Sequence, residues 1–538
     1  MPLENNRSLD NGKHWKGWSS RNGRDYYRHL GASEYAYYIP ASHNGLNDMF
    51  LHSSFTVKLK TTVMDPLRIA LCWALIRSRH PLLMAKVIWD RNSGVSQTAD
   101  EEPFSPPKNK VKESKESLIF NNLSKDELIS NYLNGPRTLS DERMSYLVIS
   151  TPSHPEPSTD DDEGKYDLLM CAPHFIGDGA SLHQCTHELL ALLASPQTTH
   201  DLMQSLIQPS NWVRATCVKV ELLPLALESR LPALSSGIGK AAAKVNFLQT
   251  LHKEIGGHTL RRQQRGPQQT VMVEKSFSEE NTVKILAKCK QNDVTINHAL
   301  FALCNVAWGH SNLNFKAIKS PIMMYTALNL RPYLTPHPSS TYWFLALTYF
   351  NVVLPSFVPA TIAAFWKRSR SVKAQTRKVV QSPFLPSRAM IGAKKRAARV
   401  RSSSSVVDPV LSLPASINNV LQVTSGTVEF PPAPSAALFG LSLIGNLDNI
   451  YTQSTSYTRE KSYNTISSAP NRIQIITIHT VTTASRQKPG GLLLLEHTFA
   501  KKLWLHLCWD VNGFEAGHIE SFWECLEDAV EELLISSN

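Results

Sequence analysis

A histidine, His174, stands four residues before an aspartate, Asp178, in the segment HFIGDG. The apolar run YDLLMCAP (166–173) precedes it, and a segment with helical spacing follows. An imidazole titrates near neutral pH, so His174 can take a proton from a hydroxyl or a thiol. Active-site groups often occupy such a junction between a buried strand and a helix. The pattern fits equally well a structural histidine next to an Asp178 that caps the following helix.

Three other chemistries are considered for nearby residues. Cys171 could pair with His174, but it lies within the apolar run and is expected to pack in the core. His183 and His187 lie one helical turn apart and could bind a metal, yet there is no HExxH sequence, and two histidines on an exposed helix face are commoner. GLSLIG (440–445) lacks the spacing of a serine-hydrolase elbow, which we therefore exclude.

The composition is that of a soluble globular protein of more than one domain. Of the 538 residues, 42% are hydrophobic and 19% charged, with a net charge of +11 and a pI near 9.1. The basic residues are scattered and no nucleic-acid-binding motif occurs, so an anionic small molecule such as a phosphorylated cofactor is the expected partner. The eight cysteines contain no CxxC pair, which predicts free thiols. No secretory signal is recognised, and we expect a cytoplasmic protein.

One segment without Lys, Arg, Asp or Glu, from Pro332 to Trp366, is long enough to be compared with a membrane span. Prolines interrupt it, and its apolar runs are far shorter than the roughly 20 residues that a span needs. The segment instead predicts the strand TYFNVVLP (348–355) followed by a helix. We therefore expect no membrane span.

The first half of the chain alternates strands and helices. We predict strands at FTVKLK (55–60), SYLVIS (145–150) and YDLLMCAP, a helix and then a strand across 65–90, and a loop over 101–117. The segment after HFIGDG is predicted to be a helix whose buried side carries Leu182, Leu189, Leu190 and Leu193.

The second half repeats this alternation after the polar sequence RRQQRGPQQ. Ser278 is predicted to cap a helix that begins at Glu279. The other elements are the helices around 295–310, 360–378 and 517–535, and the strands around 270–277, 320–334, 348–355, 472–484, 490–499 and 502–510. We predict an N-terminal subdomain (1–215), a linker (216–270) and a C-terminal subdomain (271–538).

Several segments together resemble one enzyme superfamily. HFIGDG is similar to the HxxxDG motif of the acyltransferases that include chloramphenicol acetyltransferase, peptide-synthetase condensation domains, plant BAHD enzymes and fungal alcohol O-acetyltransferases. Further segments resemble the superfamily in the expected order: RSRHPLLMA (77–85), FSEENTVKILAKCKQNDVTINHALFALC (277–304), ALNLRPYL (327–334) and LSLIGNLDNIY (441–451). The resemblance extends from about residue 50 to the C-terminus.

Two departures narrow the resemblance. The DFGWG loop of the BAHD enzymes is absent, which favours the fungal alcohol-acetyltransferase branch, with enzymes similar to trichothecene 15-O-acetyltransferase. Pro173 precedes His174, so the double histidine of condensation domains is also absent. An amide-forming condensation catalyst that uses carrier-protein thioesters remains the alternative, and a non-enzymatic binding protein with the same fold is a third.

The resemblance implies an α/β fold of two chloramphenicol-acetyltransferase-like subdomains, arranged as a pseudo-dimer with a tunnel between them. It implies an acyl-CoA, with acetyl-CoA expected in this branch, as co-substrate, a hydroxylated secondary metabolite as acceptor, and no bound cofactor or metal. A monomer is expected, because the two halves together supply the tunnel.

The resemblance also assigns roles to residues. His174 is expected to be the general base, and Asp178 to pair with an arginine that holds the loop in shape. Arg79 is the preferred partner and Arg331, also a candidate substrate-binding residue, is the second choice. Gly179 is expected to leave room for the thioester. The residues expected to line the channel are Asn329 and Asn446.

A basic segment in the second half remains open to two interpretations. It could attract the phosphates of CoA, or it could be a solvated loop. Its basic residues are Arg388, Lys394, Lys395, Arg396, Arg399 and Arg401.

Overall fold

The computed structural model describes residues 18–20, 26–90, 94–99, 107–151, 162–207, 223–311, 320–336, 341–357, 361–407, 437–451, 456–460 and 472–536. Its helices are α1 (Ala32–Asn44), α2 (Lys60–Val63), α3 (Pro66–Arg79), α4 (Pro107–Glu116), α5 (Lys125–Asn134), α6 (Gly179–Ala194), α7 (Thr199–Ile207), α8 (Leu227–Arg230), α9 (Gly237–Lys253), α10 (Glu279–Gln291), α11 (Ile296–Ser311), α12 (Ile362–Val380), α13 (Leu385–Val407) and α14 (His518–Val530).

Its strands are β1 (Ser19–Ser20), β2 (Tyr26–His29), β3 (Met49–Lys58), β4 (Lys86–Asp90), β5 (Gly94–Ala99), β6 (Leu118–Asn121), β7 (Tyr146–Ser150), β8 (Glu163–Ala172), β9 (Thr270–Ser276), β10 (Ile322–Asn329), β11 (Leu347–Leu354), β12 (Gly440–Asn446), β13 (Ser456–Glu460), β14 (Arg472–Ser485), β15 (Leu492–Phe499) and β16 (Lys502–Asp510).

Two six-stranded sheets form the framework of the molecule. The sheet of the first lobe has the order β13-β14-β3-β8-β7-β6, and that of the second lobe has the order β11-β10-β12-β15-β16-β9. A smaller sheet, β1-β2-β5-β4, adjoins the first lobe. The division of the chain at 216–270 therefore does not divide the sheets, because β13 and β14 lie late in the chain but belong to the first lobe.

The crossing strand β14 connects the two lobes. It pairs antiparallel with β3, with Ser485 opposite Met49, and β15 then enters the second sheet. Each lobe has its own hydrophobic core. A third apolar cluster contains Phe50 and Leu169 of the first sheet together with Leu495 of the second. Burial of these side chains between the sheets stabilises the lobes against each other.

Local sequence signals explain where several helices begin and which side they bury. Asp65 caps α3 by accepting a hydrogen bond from the Arg68 amide, with Pro66 at the first helical position. Ser278 caps α10 as predicted. The four leucines predicted to be buried in α6 are each 0% exposed. They fix this helix, and the loop before it, against the first sheet.

Two sequence interpretations need correction. The segment 101–117, predicted to be a loop, contains α4. The basic segment from Arg388 is part of the 23-residue helix α13, not a loop. The Pro, Lys and Glu residues of 101–117 and the basic residues from Arg388 onward both suggested a solvated loop, although Lys, Glu and Arg favour helices.

Two further features concern the chain as a whole. Within the described ranges no helix is long and apolar enough to cross a membrane. Seven cysteines lie in these ranges and all are free thiols; Cys217 lies outside them.

Candidate active site

The HFIGDG segment is the loop between β8 and α6. Phe175 and Ile176 are 1% and 0% exposed and anchor the loop in the first-lobe core. His174 Nδ1 lies 2.9 Å from the Gly177 carbonyl oxygen. Because a carbonyl only accepts, Nδ1 carries the hydrogen and donates it. The neutral ring therefore keeps its lone pair on Nε2.

The imidazole of His174 is held on one face by an aromatic ring. Tyr37 of α1 stacks on it with ring centroids 4.3 Å apart and an interplanar angle of 23°. The Tyr37 hydroxyl forms a hydrogen bond with the Tyr349 hydroxyl of β11. Burial lowers the pKa of His174, and the nearby Asp178 charge and the bond to Gly177 only partly oppose it. The ring is therefore neutral at pH 7 and able to act as a base.

Asp178 is a structural carboxylate at the start of α6. It is 1% exposed, and its Oδ1 accepts a hydrogen bond from the Ser181 amide at 3.1 Å, which caps the helix. Its Oδ2 accepts from Arg331 Nη1 at 2.9 Å and from the Ala346 amide at 3.1 Å. Burial alone would raise the pKa of Asp178, but the Arg331 charge and these donors hold it below its usual range.

Arg331 joins this loop to a segment from the second half of the chain. Its Nη2 donates to Ser181 Oγ at 2.8 Å and to the Phe344 carbonyl at 2.9 Å. The guanidinium carbon lies 4.9 Å from the Phe344 ring centroid. Asp178 and Arg331 thus fix the 341–346 segment against the HFIGDG loop, and both halves of the chain build the site.

The expected pair between Asp178 and Arg79 is wrong. Arg79 Nη1 instead donates to Glu188 Oε1 at 2.6 Å. Glu188 lies ten residues after Asp178 on α6, about 15 Å along the helix axis. It also accepts hydrogen bonds from the Tyr342 hydroxyl at 2.7 Å and from His80 at 3.0 Å. The second choice, Arg331, is the partner of Asp178.

The two glycines of the motif have different surroundings. A Cβ added to Gly177 would lie 3.1 Å from Trp343 Nε1, so the indole ring packs closely over this residue. A Cβ added to Gly179 would meet no heavy atom within 4 Å. The space in front of Gly179 is open, and its use by a thioester stays a prediction.

Asn329 and Asn446 lie at the carboxyl ends of the neighbouring parallel strands β10 and β12. Each uses its side-chain oxygen to cap the following turn. Asn329 Oδ1 accepts from the Arg331 amide at 3.0 Å, and Asn446 Oδ1 accepts from the Asp448 amide at 2.9 Å. Both residues are exposed. A role in lining a channel stays a prediction.

The residues considered for a nucleophile or a metal site instead have structural roles. Cys171 is 0% exposed, and burial raises the pKa of its thiol well above the usual value, so it is no nucleophile. The sequence suggested that His183 and His187 lie on an exposed helix face, and the structure shows that they do not. They contact Tyr451 at 3.2 Å and Tyr457 at 2.9 Å. Among the described residues no cluster suited to a metal ion is found.

Helix α13 presents its basic residues in different directions. Lys394 and Arg399 are exposed, and Arg401 lies over the Tyr35 ring, 4.7 Å from its centroid. Arg396 faces inward, with its guanidinium carbon 5.0 Å from the centroid of the Tyr349 ring. The basic segment is therefore neither a single surface cluster nor a loop.

Sequence reasoning missed Tyr37, Tyr349 and the 341–346 segment. Each comes from a part of the chain distant from HFIGDG, and nothing in the spacing connects them. The only sequence signal was the aromatic and arginine-rich character of the first forty residues, which include Tyr37.

Comparisons with known proteins bear on the fold. No protein-family model and no curated protein matches the chain by sequence. Trichothecene 15-O-acetyltransferase from Fusarium sporotrichioides superposes with a TM-score of 0.71 at 13% identity, over 96% of this chain and 97% of that chain. The condensation domain of the monacolin K polyketide synthase gives 0.56 at 11% identity, over 97% and 99%. The first condensation domain of the CDA synthetase gives 0.51 at 10% identity, over 94% and 96%. The chain therefore has the two-lobed fold of the chloramphenicol acetyltransferase-like and condensation-domain proteins, which is the α/β fold that its motifs predict.

Proposed function

We propose that this protein is an O-acyltransferase that moves an acyl group, in our preferred form an acetyl group, from acyl-CoA to a hydroxyl of a small secondary metabolite. The observation that carries the proposal is the state of His174. Its Nδ1 hydrogen is committed to Gly177, its Nε2 keeps a lone pair, and burial lowers its pKa. These are the properties of a general base that works at neutral pH.

The reaction needs one proton carrier and no covalent enzyme intermediate. His174 Nε2 takes the proton of the acceptor hydroxyl as the oxygen attacks the thioester carbonyl carbon. The tetrahedral intermediate then expels the CoA thiolate, which receives the proton from the imidazolium. The Gly177 carbonyl accepts from Nδ1 throughout and keeps the ring oriented. General base catalysis contributes roughly 10²–10⁴-fold, so positioning and charge stabilisation supply the remainder.

The acyl-CoA donor, the small-molecule acceptor, a cytoplasmic location and a monomeric state complete this proposal. The similarity to an O-acetyltransferase over nearly the whole chain supports the reaction class. The net charge of +11 is suited to an anionic donor. A tunnel between the lobes would bring donor and acceptor to His174 from opposite sides, and Asn329 and Asn446 would lie on its second-lobe wall.

His174→Ala tests the proposal. The purified protein is incubated with acetyl-CoA and a panel of alcohols while free thiol is followed. We expect thiol release that requires an alcohol and falls by about 10²–10⁴-fold in the variant. Equal release by the wild type and His174→Ala would refute the role of His174.

Condensation domains with the same fold suggest a second function, amide formation from carrier-protein thioesters. The same assay separates the two. Turnover with carrier-bound acyl groups and an amine, but none with acetyl-CoA and any alcohol, would favour the second function. No turnover with either donor would favour a binding protein.

A further inference from the structure

Arg396 lies inside the molecule beside the candidate site. Its guanidinium carbon is 5.0 Å from the centroid of the Tyr349 ring. The Tyr349 hydroxyl bonds to that of Tyr37, which in turn stacks on His174. Arg396 is therefore separated from the imidazole by two tyrosine rings. No step of the proposed reaction uses it.

The packing of α13 against α1 fixes Arg396 in this place. Ala393 and Ala397 flank it along the helix and form a small apolar cluster with Ala32 of α1. Side chains as small as alanine let the two helices approach closely. Tyr349 is held from its other side by an edge-to-face contact with Tyr325 at 6.0 Å.

Glycine at position 440 is required for that arrangement. A Cβ there would lie 2.4 Å from the Tyr325 ring. The backbone of β12 therefore leaves the space that the tyrosine occupies. Arg396, Tyr349 and Tyr325 are therefore held in place by close packing.

The charge of Arg396 has no direct counter-ion among the described residues. Its Nε is buried without a hydrogen-bond partner, and the guanidinium forms no ion pair within the described ranges. The acidic group that acts on it from a distance is Glu228, whose Oε1 accepts instead from the Ser33 amide at 2.8 Å. Burial lowers the pKa of Arg396. An unpaired buried charge is costly, and a ligand oxygen that pairs with it removes much of that cost.

The side chains around Arg396 are partly exposed. Arg396, Tyr37 and Tyr349 all keep part of their surface exposed, whereas Tyr38 and Phe350, their neighbours in the chain, are buried. A guanidinium that rests on an aromatic face presents its edge, and two parallel N–H groups there match the two oxygens of a carboxylate.

We propose that Arg396 forms a carboxylate-binding subsite and that the acceptor is a hydroxy acid. The acid group would lie at Arg396, and the hydroxyl would reach His174 along the edges of Tyr349 and Tyr37. The identity of the acceptor rests on the proposed function, whereas carboxylate binding at Arg396 does not.

Binding is measured first, without an acyl donor. The probes are straight-chain carboxylates from hexanoate to dodecanoate, each compared with its methyl ester by titration calorimetry. We expect the wild type to bind at least one acid about tenfold or more tightly than its ester. Arg396→Gln should remove this preference, and Arg370→Gln, which neutralises an exposed arginine of α12, should keep it. Arg396→Lys, which keeps the charge without the planar pair of donors, should retain a weaker preference.

Several outcomes would overturn the subsite. One is that no acid binds more tightly than its ester, and another is that folded Arg396→Gln keeps the preference. Competition of CoA with the acids, together with weaker CoA binding by Arg396→Gln, would assign Arg396 to donor phosphates and overturn the acceptor assignment.

Acyl transfer is tested second, with ω-hydroxy acids of the same lengths and their methyl esters as acceptors. We expect the acids to have the higher kcat/KM, and Arg396→Gln to abolish the difference mainly through KM. Carboxylate binding at Arg396 without any acyl transfer would leave the subsite standing and refute the proposed function. Acyl transfer without a preference for acids would leave the proposed function standing and refute the subsite.

Discussion

His174 and Asp178 lie four residues apart, yet burial has opposite consequences for them. His174 has a neutral hydrogen-bond partner in the Gly177 carbonyl, so desolvation dominates and its pKa falls. Asp178 has a cation and three N–H and O–H donors around it, so its charged form is stabilised in spite of burial. The loop thus holds a neutral base next to a permanent anion. The anion shapes the loop, and the base keeps its Nε2 lone pair.

The lowered pKa of His174 predicts the pH dependence of catalysis. The neutral ring is the active form, and the fraction of neutral ring rises with pH through the pKa of the folded protein. We expect kcat/KM to rise with a midpoint below 6.5, the ordinary pKa of a histidine, and to stay level up to pH 8. Steady-state kinetics between pH 4.5 and 8 check this. A midpoint at or above 6.5 would contradict it.

The Asp178–Arg331 pair predicts a loss of stability that the Arg79–Glu188 pair does not share. Asp178→Ala leaves a guanidinium without its counter-ion in a nearly closed site, and we expect a loss of about 3–5 kcal/mol in the free energy of unfolding. Arg79→Ala is the matched control. Its side chain is 37% exposed, and Glu188 keeps two other donors, so the loss should stay within about 1 kcal/mol. Chemical denaturation of both variants measures the difference; equal losses would refute the structural role of Asp178.

At the scale of elements, the junction between β8 and α6 contains two glycines with different expected roles. Gly177 is expected to matter for folding, and Gly179 for access of the substrate. Gly177 lies under the Trp343 indole, which the second half of the chain contributes, whereas Gly179 begins α6 and faces open space. The junction is therefore closed on one side by packing and left open on the other.

Alanine at each glycine should give opposite results. Gly177→Ala pushes against a buried indole and should lower the free energy of unfolding by about 1–3 kcal/mol. Gly179→Ala should leave stability unchanged or slightly raised, because alanine favours helices, while its methyl group enters the open space where the thioester is expected. We expect transfer to fall by roughly tenfold to a hundredfold in Gly179→Ala. Thermal unfolding and thiol release, measured on both variants, test the distinction. A destabilised Gly179→Ala, or one with full activity, would contradict it.

The sequence predicted most elements well but not which of them meet. Periodicity is local, so the helix α6 and the strands β8, β15 and β16 follow from it. Ion pairing depends on the tertiary fold, and the local sequence does not distinguish Arg331 from Arg79 as the partner of Asp178. The path of β14 into the first sheet was equally hidden, since an apolar strand fits either lobe. Tyr37 and Trp343 reach the loop through such long-range contacts.

At the scale of the whole molecule, two buried titratable groups make the stability of the protein depend on pH in opposite directions. Burial lowers the pKa of His183 from 6.5 to about 3. Between these two pH values the unfolded chain binds a proton at His183 and the folded protein does not. Stability is therefore lost as the pH falls through this range. Glu496 of β15 acts in the opposite direction. It is 0% exposed, neither of its oxygens has a partner among the described residues, and burial raises its pKa to about 8.

Glu496→Gln should therefore stabilise the protein near neutral pH. Between its unfolded value of 4.5 and its folded value of about 8, Glu496 is ionised only in the unfolded chain, so stability declines as the pH rises, by up to about 1.4 kcal/mol per pH unit. Glutamine has nearly the same shape and does not ionise. We expect the variant to gain roughly 1–3 kcal/mol at pH 7.5, to gain little at pH 5, and to show a flatter pH dependence between them. Denaturant unfolding at both pH values measures the gain, and Glu279→Gln, at an exposed position, provides the control. An equal gain at both pH values would mean that the carboxylic acid is not the cause, because only its ionisation in the unfolded chain changes over that range.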